Sequence, residues 1–403
     1  MLKQSSISLT IAAALVGFSA PTLAEATSVT EALTQGSVKG DVRLRFEGVS
    51  QDNDLKDAQA LTIRTRLGYT TADFSGFSAM VEFEDSRPAF GVNNYNDTIN
   101  GDTHYSVIAD PKVTEVDQAF VQYKNDMLLG RVGRQVLAID NQRFIGHVGW
   151  RQDRQTFDAA NLVVTPIKDL SLQYAYITKR NRIFADVKDV DSKDHVLNAS
   201  YNTPFGKVSG YGYLLEEDKA MKNGLDTYGV RFAGAQDLDA FKLGYQAEYA
   251  QQKSTMDTMS YDANYYFLEA KAGFKPVSVA LGYEVLGSDD GNYGFSTPLA
   301  TLHKFNGWSD QFLGTPKQGL KDLYATVSGQ FMKVNWLVTY HDFSADKETM
   351  DVKDLGKEIN ASLTTKFTDN LSGGIKYAAY MAGDKGAGKV DTDKVWVWAG
   401  LTF

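Results

Sequence analysis

The sequence has no cysteine, and that absence removes disulfides, thiolate metal sites and catalytic thiols from consideration. Proline is scarce, at 8 residues. Past the first two dozen residues, long apolar runs are missing as well. The longest stretch there without a charged side chain, Gly291 to His303, falls far short of the ~18 apolar residues a membrane helix needs. A mean hydropathy of −0.30 is too polar for a helical membrane bundle, yet ordinary for a barrel with a wet lumen. No basic excess exists: 41 Lys and Arg against 50 Asp and Glu give −9, which argues against nucleic acid as a partner. There is no nucleophile elbow, phosphate loop or dinucleotide fingerprint, so the chain does not read as an enzyme. The five histidines (His104, His147, His195, His303 and His341) are scattered without ligand spacing, and no metal or other cofactor is expected.

What the chain does have begins with an export signal. Lys3 supplies a positive start, and Gln4 to Ala24 carries no charge. Its apolar centre, Leu9 to Phe18, is too short to span a bilayer but suits a signal peptide. Small residues permit cleavage after Ala24 or after Ala26. With residues 1–24 removed, 40 basic and 50 acidic residues leave a net charge of −10. Residues 25–36 form a separate short segment: Ser28-Val29-Thr30-Glu31 is a capping-box pattern and Gly36 a stop, which predicts one brief helix.

From residue 37 to 403 the hydrophobic period is two, the signature of strands with one face apolar and the other polar. Val38, Val42, Leu44 and Phe46 fall on one face, and Lys39, Asp41, Arg43, Arg45 and Glu47 on the other. Leu61, Ile63, Leu67 and Tyr69 oppose Thr62, Arg64 and Arg66. The same rule sets Phe77, Ala79, Val81 and Phe83 against Ser78, Glu82 and Glu84. It also sets Ile359, Ala361, Leu363 and Phe367 against Asn360, Ser362, Thr364 and Lys366. About eighteen such segments can be cut from the chain, with sixteen as the alternative because Asn181–Asp194 and Met256–Tyr261 divide in more than one way.

A soluble sandwich alternates too, but three features favour a transmembrane antiparallel β-barrel with short periplasmic turns and longer extracellular loops. The chain ends inside a strand, with Val395, Val397, Ala399, Leu401 and Phe403 alternating. This ending resembles the signal read by the barrel-assembly machinery of the bacterial outer membrane. Aromatics gather near strand ends (Tyr69, Phe83, Trp336, Tyr340, Tyr377, Tyr380), as interfacial girdles require. No helix pairs or parallel crossovers appear. In hydrocarbon only a closed barrel leaves no unpaired backbone edge.

Arginine is distributed unevenly: of thirteen, twelve lie between Arg43 and Arg182. Alternation puts Arg43, Arg45, Arg64 and Arg66 on the lumen face, since a charge in lipid near the midplane costs ~2–4 kcal/mol. They would form a basic ladder able to fork onto carboxylate, sulfate or phosphate. A second cluster holds Arg131, Arg134, Arg143, Arg151 and Arg154. Arg131 and Arg134 have opposite parity, so both face inward only if Gly133 forms a bulge or the segment folds into the lumen. The plain alternative is that these arginines pair with Asp41, Glu47, Glu82, Glu84, Asp140 and Asp153 and brace the wall. Acidic stretches such as Asp52-Asn53-Asp54 and Asp186–Asp194 read as solvated loops, with divalent-ion binding as the other option.

Two motifs add a resemblance. Asp140-Asn141-Gln142-Arg143-Phe144-Ile145-Gly146, running on through Trp150, Arg151 and Asp158, is one. Phe295-Ser296-Thr297-Pro298-Leu299, running on through His303, Trp308 and Phe312, is the other. With the Gly40–Phe46 strand they resemble outer-membrane porins of the alginate-export family. The resemblance implies a monomeric barrel of eighteen strands narrowed by inward loops, with Arg143, Arg151 and Arg154 lining the pore and Trp308 and Phe312 anchoring the 295–313 loop.

The expected role is therefore passive diffusion of small hydrophilic solutes, with a preference for anions or acidic sugars. The expected surroundings are outer-membrane lipid and lipopolysaccharide. Alternatives are a dedicated exporter of an anionic polysaccharide such as alginate, and a structural or adhesive barrel plugged by loops 87–113 and 288–318.

Overall fold

A computed structural model describes residues 26–220 and 223–403, so the export signal expected over 1–24 lies outside the described residues. The short helix α1 (Val29–Thr34) forms where the capping box predicts it. Ser28 accepts the Glu31 amide, and the Glu31 carboxylate reaches back to the Thr27 amide at 2.7 Å. This helix docks below the first strands: Tyr69 Oη donates to Leu33 O at 2.6 Å, and the Ala72 amide donates to Ala32 O.

Strands then follow one another around a cylinder. They are β1 (Ser37–Gln51), β2 (Ala58–Thr70), β3 (Phe77–Asn94), β4 (Val113–Lys124), β5 (Leu128–Gln135), β6 (Thr156–Ile167), β7 (Leu170–Asn181), β8 (Val190–Thr203), β9 (Gly206–Leu215), β10 (Asn223–Asp237), β11 (Lys242–Met256), β12 (Met259–Phe274) and β13 (Val277–Leu286). A two-rung hairpin, β14 (Ser288–Asp289) with β15 (Tyr293–Gly294), sits in a long loop. The barrel resumes with β16 (Leu320–Phe331), β17 (Val334–Ser344), β18 (Asp354–Lys366), β19 (Leu371–Met381) and β20 (Thr392–Thr402). Eighteen of these strands form one antiparallel sheet that closes on itself, with β20 paired to β1. The count is eighteen rather than sixteen because β11 and β12 turn over only Asp257 and Thr258, a hairpin too tight to read as a separate boundary in sequence.

The alternation read from sequence is the alternation observed. Leu67, Phe83, Leu172, Leu197, Leu281, Ile359, Leu363 and Val397 all expose themselves on the outer wall. Arg45, Glu47, Arg64, Arg66, Glu82 and Glu84 are buried on the inner one. Outward tyrosines turn their hydroxyls to polar neighbours: Tyr174 to His195 at 2.8 Å, Tyr249 to Asn264 at 3.1 Å. Tyr380 is a correction. It faces the lumen, 2 % exposed, and packs against Phe343 and Phe312, so it belongs to the interior and not to a girdle.

That interior has a hydrophobic core of its own. Two long loops fold into the lumen: an inner loop, 136–155, between β5 and β6, and a strap, 287–319, between β13 and β16. The inner loop brings Leu137, Phe144 and Ile145, and the strap brings Phe295, Leu299 and Phe312. These pack against lumen-facing Tyr211, Tyr213, Tyr265, Phe343 and Tyr380. Backbone inside a barrel must find partners, and the loops partly satisfy each other. Gly146 donates to Leu299 O at 2.8 Å, Thr301 donates to Gln142 O at 3.1 Å, and Gln155 Nε2 donates to both Gly146 O and Leu299 O.

Candidate functional site

The basic ladder exists as a row on β1 and β2. Arg43 stands directly across from Arg64 in register, and Arg45 and Arg66 lie one step diagonal to that pair. The chemistry it performs is mostly structural. Arg45 ion-pairs with Asp110 and with Glu47, Arg64 with Asp41, and Arg66 with Glu84 and Asp117. From the inner loop, Arg154 reaches Glu82 and Asp117, and Arg151 reaches Glu47 at 3.0 Å and Asp310 at 3.0 Å. The plain alternative is therefore what the geometry shows for most of these side chains: they clamp loops to the wall.

Arg43 differs. Its guanidinium donates to Gln152 Oε1 at 3.0 Å and to the carbonyls of Gly149 (3.2 Å), Trp150 (2.9 Å) and Arg151 (2.6 Å). All four acceptors are neutral, and among the described residues no carboxylate comes within ion-pair distance. Its positive charge is left uncancelled locally, on the lumen face.

The other arginines scatter. Arg143 sits across the lumen, buried beside Glu284 at 2.8 Å and over the Phe305 ring at 4.7 Å. Arg131 lies toward the short-turn end, bonded to Gln122 at 2.7 Å and stacked 4.3 Å over Phe120. Arg134 is a correction: it is not pore-lining. The β4–β5 register runs unbroken through Gly133, so Arg134 keeps the parity of Ala119 and points to the outer face. There it forks onto Asp158 at 2.8 and 3.2 Å, beside polar outer residues of the long-loop rim. Gly133 adopts φ +123 without a bulge, and a Cβ there would meet Ala119 O at 2.2 Å, so only glycine fits.

A second cluster, not anticipated from sequence, closes the ring on β19 and β20. Asp310 of the strap accepts from Arg151, from Lys394 Nζ at 2.8 Å and from His303 Nδ1 at 2.6 Å. His303 Nε2 in turn accepts from Lys376 Nζ at 2.7 Å. Lys376 is enclosed by indoles, 3.7 Å from the Trp308 centroid, 4.4 Å from Trp150 and 5.3 Å from Trp396. Trp398 meets Trp150 edge-on at 5.4 Å, so four of the five tryptophans converge here. Indole faces attract a cation electrostatically, which offsets part of the cost of burying Lys376. Strand parity could have located Lys376, Lys394 and Trp396, since they alternate with outward Ile375, Val395 and Val397. Their partners Asp310 and His303 come from a loop and carry no such signal.

The tautomer of His303 follows from its neighbours: it donates from Nδ1 to a carboxylate and accepts at Nε2 from an ammonium, so it is neutral. Burial first, and then the Lys376 and Arg151 cations, push it down to about 3 against the pull of Asp310. A depressed histidine favours the seated strap only while the released strap is also unprotonated, above about pH 6.5. Below that pH the released form gains the proton first, and the seated form is penalised by about 1.4 kcal/mol per pH unit down to the folded value. Protease cleavage within the strap should therefore rise between pH 7 and pH 4.5, and His303→Gln should flatten that rise. Equal slopes would remove His303 from the latch.

Comparison with known proteins comes down to one sequence match and a set of structures. The model of the alginate export family matches residues 34–285, more than half of the chain. The chain belongs to the alginate-export family. No curated protein matches it in sequence. Among solved structures, this alginate-export family member is similar to OccAB1 of Acinetobacter baumannii (TM-score 0.73, 15% identity, covering 92% of this chain and 97% of that one). It is also similar to the outer membrane protein OpdK of Pseudomonas aeruginosa (TM-score 0.69, 15% identity, covering 91% and 98%). At such identities the likeness concerns the fold, a closed barrel of the outer-membrane type.

Proposed function

We propose that this barrel is a passive outer-membrane channel for small hydrophilic solutes, with a moderate preference for anions or acidic sugars. The observation that carries the preference is Arg43, a lumen-facing cation whose acceptors are all neutral. Arg45, Arg64, Arg66, Arg143, Arg151 and Arg154 are paired with carboxylates and contribute little field, whereas Arg131 is held by the neutral Gln122 side chain and adds to the field from nearer the short-turn end. In a narrow, low-dielectric passage even one or two uncancelled charges bias which ions enter, and salt weakens the bias. OpdK, of the same fold, has been crystallised with vanillate, an organic anion, which agrees with this reading without carrying it.

The test is a reversal potential under a salt gradient across a planar bilayer. Arg43→Gln keeps hydrogen bonding to the loop carbonyls while removing the charge, and it should lower the anion-to-cation permeability ratio at low salt. An unchanged ratio would count against the anion preference. Exchanging Arg66 would be a poor test, because Glu84 and Asp117 hold it and its loss would disturb the wall.

One observation favours a second reading. The strap and the inner loop are bonded to each other and to opposite walls, so a polymer such as an acidic polysaccharide threads the barrel only if the strap lifts. The exporter role therefore requires a strap-opening step that the solute channel does not.

A further inference from the structure

The outer wall carries a hollow among its described residues. Between β6 and β10 a groove of about 570 Å³ is cut into the lipid-facing surface, and its lining is almost wholly apolar. Its floor is Ala199, Gly210 and Gly212, aligned where neighbouring strands carry large side chains. Leu197 and Tyr174 form one wall and Tyr228 the other. The void at the floor is real space: a Cβ built on Gly210 would meet nothing within 4 Å.

The place and shape of the groove restrict what fills it. It runs from Leu172 and Tyr174 of β7 across Leu197 and Ala199 of β8 to Gly210 and Gly212 of β9, within the belt that faces hydrocarbon, so peptides and sugars are excluded by the cost of unpaired polar groups there. A second barrel is convex and cannot enter a concavity. A flexible alkyl chain can. Along β8 the nearest polar side chains on the outer face are on the long-loop side: His195, two residues above Leu197 and held by Tyr174 Oη at 2.8 Å, then Lys193. Toward the short-turn side the outer face continues with Tyr201, Val208 and Phe205, all exposed.

We infer that the groove is a lipid site that takes one acyl chain of outer-leaflet lipopolysaccharide, with the headgroup at the level of His195 and Lys193. Filling a void that lipid must otherwise pack around recovers apolar contact along the whole groove, which a smooth wall does not offer. The site stands apart from the lumen and owes nothing to the solute or its charge.

Native mass spectrometry of the full-length barrel, extracted in mild detergent from an outer membrane containing lipopolysaccharide, tests it. The expected result is one retained lipopolysaccharide on the wild type. Gly210→Leu starts from a Cβ that meets nothing within 4 Å and fills the floor with its side chain, so it should lose that lipid at least tenfold more readily, with channel conductance unchanged. His195→Ala with Lys193→Ala should loosen the same lipid without filling the groove. Retention of phospholipid in place of lipopolysaccharide would overturn the inference, as would equal retention by wild type and Gly210→Leu. A protein dimer that Gly210→Leu abolishes would assign the groove to a second copy and overturn it as well.

Discussion

Replacing Asp310 with asparagine is expected to raise single-channel conductance and to introduce flicker between a low and a high level. Two cations from separate elements, Arg151 of the inner loop and Lys394 of β20, meet on this one carboxylate, and His303 links it to a third, Lys376 of β19. Removing one partner of a buried ionic cluster costs ~3–5 kcal/mol, because the charges left behind stay desolvated. Such a loss moves a seated-to-released equilibrium by two decades or more, since each 1.4 kcal/mol is about tenfold. The strap keeps a second tether, in which the Trp308 and Ser309 amides and the Ser309 hydroxyl all donate to Glu358. Flicker, rather than a permanently open pore, is accordingly the expected behaviour. The barrel itself should melt as the wild type does, because no ladder hydrogen bond is touched. Unaltered conductance in a correctly inserted Asp310→Asn barrel would mean that the strap is held elsewhere or does not limit the pore.

A comparable loss is expected at the other anchor. Arg143 ion-pairs with Glu284 at 2.8 Å, donates to Asn306 Oδ1 at 3.0 Å and lies over Phe305. Glu284 also accepts from Tyr265 Oη and Asn306 Nδ2, each at 2.6 Å. Arg143→Met should therefore cost ~3–5 kcal/mol in seating of the inner loop, mostly from the stranded Glu284 carboxylate. Adding Glu284→Gln should recover much of it, since a neutral amide can accept from Asn306 Nδ2 and donate to the Tyr265 hydroxyl without a buried charge. The readout is the denaturant midpoint for protease release of the 136–155 loop in the folded barrel. A double variant no better than Arg143→Met would show that the ion pair is not what seats the loop.

The barrel was legible in the sequence because lipid enforces a penalty on every misplaced charge, so parity had to be written into each strand. Residues such as Arg64, Leu67, Glu84 and Ile359 could be assigned a face on that ground alone. Arg134 was misassigned because a choice had to be made between a bulge and an outward charge. The strand stays regular, and Asp158 supplies an outer partner, a pairing that spacing does not display. Tyr380 was misassigned because aromatic character near a strand end suits a girdle and a plugged lumen equally well.

The candidate site was legible only by halves. The lumen-facing arginines could be named, but whether each is free or neutralised depends on Asp110, Asp117 and Asp310. Two of these lie in loops, where no periodicity constrains them. The caged Lys376 was missed for a related reason: one lysine in a strand is unremarkable until a loop 73 residues away brings His303 against it.

The seam between the first and last strands has a consequence for how the molecule comes into being. Each hairpin pairs neighbours in sequence, but the final ladder joins Asp41 to Thr402 and Gln51 to Thr392, with Gly40 and Phe403 exchanging both backbone hydrogen bonds. Until that ladder forms, β1 and β20 each carry a full row of unsatisfied groups, which hydrocarbon does not tolerate. The loop to be closed spans nearly the entire chain, and contacts of such separation form slowly. The ladder between β1 and β20 is thus the slowest contact to form, and the sheet keeps two open edges until the first and last strands have met.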